Sequence, residues 1–166
     1  GNNFAIRKQL LEYDQVMNEQ REIIYAERKR VLYGEDLRDS ILSMIDSIVD
    51  RAIDSHMDDD QLPEEWDMNA FSETLSAVIP VGKINIKDDA MQQMTKEKLA
   101  ESLKKLAVQM YEMKEKEIGQ GNDNVPADPE RMRELERMVM LRVIDQKWQD
   151  HIDDMDRMRQ GIGLHA

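Results

Sequence analysis

From Met138 onward, apolar residues return every seven positions, at Leu141, Trp148, Met155 and Ile162, with Met138 and Ile152 between them. That spacing draws one stripe along an amphipathic helix. Gln160-Gly161 closes the pattern in the manner of a glycine just past a helix, so Ile162-Gly163-Leu164 is expected to open a loop. The ending Leu164-His165-Ala166 then reads as the tip of an unfinished hairpin. The other end of the chain has the same character. Asn3 to Tyr33 holds no Pro or Gly, and Leu10, Met17, Ile24 and Val31 recur seven apart with Tyr13, Val16 and Ile23 alongside. Gly34 is expected to close that helix. At about 1.5 Å per residue, helices of about 30 residues reach about 45 Å, so their ends must project or be covered by other chain.

Between these two lie shorter helical patterns. Leu37, Ile41, Met44, Ile45, Ile48, Ala52 and Ile53 keep three-and-four spacing from about Asp36 to Met57, and the Asp58-Asp59-Asp60 run with Leu62-Pro63 breaks them. A short helix is expected from Met68 to Ile79 after an Asp67 N-cap, then a turn at Pro80-Val81-Gly82. Thr95 starts a third long helix to about Ile118, with Leu99, Leu103, Leu106, Met110 and Met113 on one face. Gly119 to Ala127 reads as a polar linker, and Asp128-Pro129 as the N-cap and first residue of the fourth helix, which runs to Gln160. That helix carries a second apolar set, Met132, Leu135, Val139 and Val143, turned away from the first. The fold class expected is all-α.

The net charge of −12 is concentrated. Residues 34–94 hold fifteen acidic side chains against four basic ones, a surface that repels phosphate backbones and anionic headgroups. Nucleic acid is not an expected partner. There is no cysteine for disulfides or thiol chemistry, and no apolar run approaches the roughly 20 residues of a membrane span.

A helical carboxylate metal site needs Glu three residues before His, and the positions before His56 and His151 are Ile53 and Trp148, so surface or capping roles are expected for both. The three aspartates from Asp58 lack the alternation and glycine of a calcium loop. No phosphate-binding G-x-x-x-x-G-K-[ST] occurs, nor a G-x-S-x-G elbow. Trp148 is expected as a core anchor and Trp66 as a lesser, local one. Methionines 110, 113, 132, 138, 155 and 158 are expected to fill core more than to form a peptide groove.

The run from Met140, MLRVIDQKWQDHIDDMDRMRQGIGLHA, resembles the start of the two-helix finger of the SecA family, ATP-driven protein translocases. Asp145, Trp148, His151, Asp154, Met155 and the Arg159-Gln160-Gly161-Ile162 turn carry that resemblance. Asn3 to Tyr25 is similar to the start of the family's long scaffold helix, and Pro63-Glu64-Glu65-Trp66-Asp67 to a wing motif. Gln15 and Met158 depart from the acidic residue and leucine common there. The resemblance implies long scaffold helices with an inserted helical wing: residues 1–34 and 128–166 as scaffold, 35–127 as wing. It implies a finger facing channel and preprotein at Arg159, Gln160, Gly161, Ile162 and Leu164. It also implies a motor-coupling stripe at Leu141, Trp148, Ile152 and Met155, and a scaffold stripe at Leu10, Met17, Ile24 and Val31. The implied partners are the SecY channel complex, preprotein and the remaining SecA domains, at the inner face of the cell membrane. ATP and Mg would bind elsewhere in a longer protein, with no cofactor and no catalysis in this stretch. The alternative is a stand-alone helical adaptor, which should complete its hairpin.

Overall fold

The computed structural model describes residues 1–34 and 36–164. Among them it is all-α, with six α-helices, one 3₁₀ turn at Pro63–Glu65 and no strand. The helices are α1 (Asn2–Leu32), α2 (Leu37–His56), α3 (Met68–Ser76), α4 (Asp88–Gln92), α5 (Lys96–Gln120) and α6 (Arg131–Leu164). The expected ending at His165 and Ala166 lies outside the described residues, as does Glu35. The chain forms two compact units, Gly1–Leu37 with Arg133–Ala166, and Arg38–Met132.

The second unit holds the larger core. Val49, Ala52, Ile53 and Met57 meet Phe71, Leu75 and Ile79, and Leu99, Leu103 and Ala107, with Trp66 in the same cluster. Phe71, Met57, Leu75 and Val49 are fully buried. Each such side chain contributes roughly 1.5–3 kcal/mol through burial. Trp66 is therefore a core residue and not the lesser anchor its acidic neighbours suggest. The face of α5 is also rotated from expectation: Ala107 is buried, while Leu106 and Met113 are exposed. A small residue there lets α5 approach the core closely, which apolarity alone does not reveal.

The start signals act as read at Asp67, whose Oδ1 accepts the Ala70 amide at 3.0 Å, and at Thr95, whose Oγ1 accepts the Lys98 amide at 3.1 Å. Gly34 ends α1 with φ +112°. Two elements escaped the sequence reading. The Leu62-Pro63 break is a 3₁₀ turn in which the Glu65 carboxylate accepts the Leu62 amide at 2.8 Å, and α4 is a single helical stretch beginning after Lys87.

The expected linker starts later than Gly119. Gly119 is helical, and its carbonyl accepts the Asp128 amide at 2.8 Å while Ile118's carbonyl accepts Arg131 at 2.8 Å. Gly121, at φ +69°, ends the helix instead. The returning chain crosses so close that a Cβ on Gly119 would sit 3.3 Å from the Asp128 carbonyl oxygen. Residues 122–125 form a turn closed by the Asn122 amide on the Val125 carbonyl at 2.8 Å. Asp128 accepts the Glu130 amide at 2.9 Å, as an N-cap would, but helical pairing begins only at Arg131.

The largest correction concerns the other end of α6. Gln160-Gly161 does not stop it; the helix continues through Gly161 and Gly163 to Leu164. Glycine weakens a helix interior by about 1 kcal/mol without forbidding it. A terminating glycine needs the left-handed conformation, and the described glycines with positive φ are Gly34, Gly82 and Gly121.

Candidate functional site on the paired long helices

Within the first unit, α1 and α6 run antiparallel. The half-buried or buried positions of α1 are Ile6, Leu10, Tyr13, Met17, Gln20, Ile24, Arg28 and Val31; those of α6 include Leu141, Ile144, Trp148, His151, Ile152, Met155 and Ile162. Both series step by three and four, the geometry of two helices meeting along one seam.

Polar pairs pin the seam along its length. Arg137 Nε donates to the Val31 carbonyl at 3.3 Å. Arg28 makes two parallel bonds to Asp145, Nε to Oδ1 at 2.7 Å and Nη2 to Oδ2 at 3.0 Å. The exposure of this pair limits it to about 0–1 kcal/mol, but its fork fixes register. Gln20 Oε1 bonds His151 Nε2, whose ring lies 5.7 Å from that of Trp148. Arg159 lies 5.8 Å from the Tyr13 ring centroid, a cation–π contact. Burial foremost, then the Asp156 charge, pushes the Tyr13 phenol above its ordinary value. Within α6 itself, Arg133 Nε lies 2.8 Å from the buried Glu136 carboxylate, an ion pair one turn apart.

The seam takes in the stripe residues named from the sequence apart from Met138, which is exposed. Met17 and Val31 are buried, Leu10 and Ile24 half-buried, and Leu141, Trp148, Ile152 and Met155 are all half-buried. Trp148 lines a shallow apolar depression with Ile23 and Ile24, so it is not the fully buried anchor expected. A two-helix seam covers one side of an indole only.

The finger residues are helical, not a turn. Arg159 turns to Tyr13, Gly161 and Ile162 line a cleft with Ala5 and Ile6, Gln160 is exposed, and Leu164 is 84% exposed. The second apolar set of α6 divides: Met132 is buried, while Leu135, Val139 and Val143 are exposed. The methionines do not form core throughout either, with Met113, Met138 and Met158 at 70%, 65% and 51% exposure.

Sequence reasoning missed the pins. Arg28 lies four residues past Ile24 and Asp145 three before Trp148, flanking positions where opposite charges on facing helices are a usable signal. The two remarked histidines are both hydrogen-bonded; His56 Nδ1 meets the Ala52 carbonyl at 2.9 Å and Nε2 the Thr74 hydroxyl at 3.0 Å.

The described residues contain no group of three or more His, Asp or Glu placed to hold a metal ion. Of the glycines that read as turn formers, Gly82 and Gly121 have positive φ and Gly119 is helical. No described helix is long and apolar enough to cross a membrane. What remains is a braced pair of long helices with apolar faces left open.

Comparison with known proteins places this arrangement. The chain matches, over residues 1–166, the family described as SecA Wing and Scaffold domain. It is 46% identical over 166 residues to protein translocase subunit SecA 1 of Alkaliphilus metalliredigens, covering 100% of this chain and 18% of that protein. It is 51% identical over 165 residues to SecA of Lachnoclostridium phytofermentans, covering 99% and 18%. Against SecA of Acetivibrio thermocellus the identity is 45% over 165 residues, covering 99% and 17%. The chain thus spans under a fifth of these curated relatives.

Proposed function

The chain belongs to the SecA wing and scaffold domain family, and from that membership we propose that it is the bracing and coupling part of an ATP-driven protein translocase. The match along the whole chain supports this reading over a stand-alone adaptor. In it, residues 1–34 and 128–166 are scaffold and residues 35–127 the helical wing. ATP and Mg bind in other parts of the longer protein, whose phosphoryl transfer this stretch assists without catalysing. The partners are those other domains, a SecY-type channel and the preprotein, at the inner face of the membrane.

The observation that carries the coupling role is the seam itself. Leu141, Trp148, Ile152 and Met155 sit half-buried along one 34-residue helix against α1, and Arg159 is held to Tyr13 at its far end. A rigid helix gripped along its length passes a displacement from one end to the other. Coupling of that kind requires an element with two arrangements that both sites bias. In this reading Arg159, Gln160, Gly161, Ile162 and Leu164 meet the channel or the preprotein.

The test uses the full-length protein containing this chain, with Met155→Ala and, separately, Arg159→Ala. Neither touches a nucleotide, so each should change translocation-linked ATPase by roughly 5-fold or more if the seam couples the two activities. Folded variants that keep normal ATPase and normal translocation would remove the coupling role from α6.

A further inference from the structure

The connection from α5 to α6, residues 121–130, reads GNDNVPADPE, a run of turn formers that ordinarily leaves a chain free to flex. It is stitched instead to the end of α5. One fastening is backbone to backbone: the Asp128 amide donates to the Gly119 carbonyl at 2.8 Å, and the Arg131 amide to the Asp128 carbonyl at 3.1 Å. The other is a side chain. Arg131, the first residue of α6, donates through Nη1 to the Ile118 carbonyl at 2.8 Å and through Nη2 to the Pro126 carbonyl.

The last carbonyls of a helix lack intrahelical partners, and a cation beside them also meets the negative end of the helix dipole. Arg131 is half-buried, with Glu130 and Glu134 close to it in sequence. Among the described residues its guanidinium nevertheless has no carboxylate partner and serves two backbone carbonyls, one at the end of α5 and one in the connection. A planar fork holds both at once, whereas an ammonium is a single point. Backbone carbonyls cannot rotate away as side chains do, so the fork fixes the path of the chain itself. The next residue, Met132, is buried, which holds the start of α6 by packing as well.

We propose that Arg131 is a positioning residue, a clamp that stiffens the connection and ties the start of α6 to the end of α5. The inference rests on the coupling role given to α6 above and deepens it. A helix that relays displacement needs its near end held, and a loose connection of turn formers would absorb the displacement instead.

The test uses the full-length protein containing this chain, with Arg131→Ala and, separately, Arg131→Lys, which keeps the charge and loses the fork. Hydrogen exchange of the segment 118–131 should quicken about tenfold or more in Arg131→Ala, with a smaller rise in Arg131→Lys. ATPase without preprotein should stay at its wild-type rate, while translocation-linked ATPase falls about 5-fold. A folded Arg131→Ala with wild-type exchange in that segment overturns the clamp. If that variant fails to fold, the same result in Arg131→Lys does so. Faster exchange with wild-type translocation overturns the tie to the work of α6, provided Met155→Ala or Arg159→Ala does impair translocation. Normal translocation in those two variants also would locate the failure in the coupling role, and exchange alone then decides the clamp.

Discussion

Trp66 carries its indole into the core of the second unit, 8% exposed, with no hydrogen-bond partner for Nε1 among the described residues. Trp66→Ala should cost about 3–5 kcal/mol in denaturant melts, the range for deleting a buried aromatic. Trp148→Ala should cost only about 1–2 kcal/mol, because its ring is half-buried on one seam. Equal losses would show that the indole of Trp148 is better covered than a two-helix seam allows. This ranking was not legible in the sequence: Trp66 lies between Glu65 and Asp67, and the cluster it joins is gathered from residues as far apart as Val49 and Ala107. The periodic stripe around Trp148 reports which way it faces but not how many helices cover it. Tyr13 yields a second prediction. Its folded phenol is raised above the ordinary 10.0, so the seam gains stability that is complete below pH 10 and is lost as pH climbs through the folded value. An ultraviolet titration should contain a late-ionising component from Tyr13. Tyr13→Phe should abolish that late component.

Helix ends divide the glycines into two kinds. Gly161 and Gly163 lie inside α6 with open space where a Cβ would go, so Gly161→Ala or Gly163→Ala should stabilise the first unit by about 0.4–1 kcal/mol each. Gly121→Ala should instead destabilise by about 1–3 kcal/mol, because φ +69° with ψ −163° is a combination essentially confined to glycine. The Val125 and Pro126 carbonyls also occupy the place its side chain would need. Thermal melts of the three variants separate the two kinds by sign. From the sequence, Gly161 reads as a stop and Gly119 and Gly121 as one linker, because a glycine's backbone angle is set by what the following chain does. The polar residues after Gly121 fold back onto the end of α5, whereas Ile162, after Gly161, remains on the seam with α1. Local start signals such as Asp67 and Thr95 were legible because cap and capped amide lie three residues apart.

The two units should differ in how they open. The second holds eleven buried residues in one cluster, whereas the first has five, Tyr13, Met17, Val31, Leu37 and Glu136, in no such cluster. Hydrogen exchange should therefore be slowest in α3 and the first half of α5. It should be markedly faster along α1 and the distal half of α6, with free energies of opening well below the global value. Uniform protection along the chain would show that the seam is as cooperative as the core. The all-α class and the run of long helices could be read from the 3.6-residue period, but which helices enclose which could not, since that depends on partners far apart in sequence. Unbroken by its glycines, α6 is a rod of about 50 Å, and tilting such a rod by about 10° about one end swings the other through roughly 9 Å. That arc is longer than one helical turn, so a rotation small enough to preserve side-chain contacts near the pivot becomes a stroke of about two to three residues of extended polypeptide at the tip.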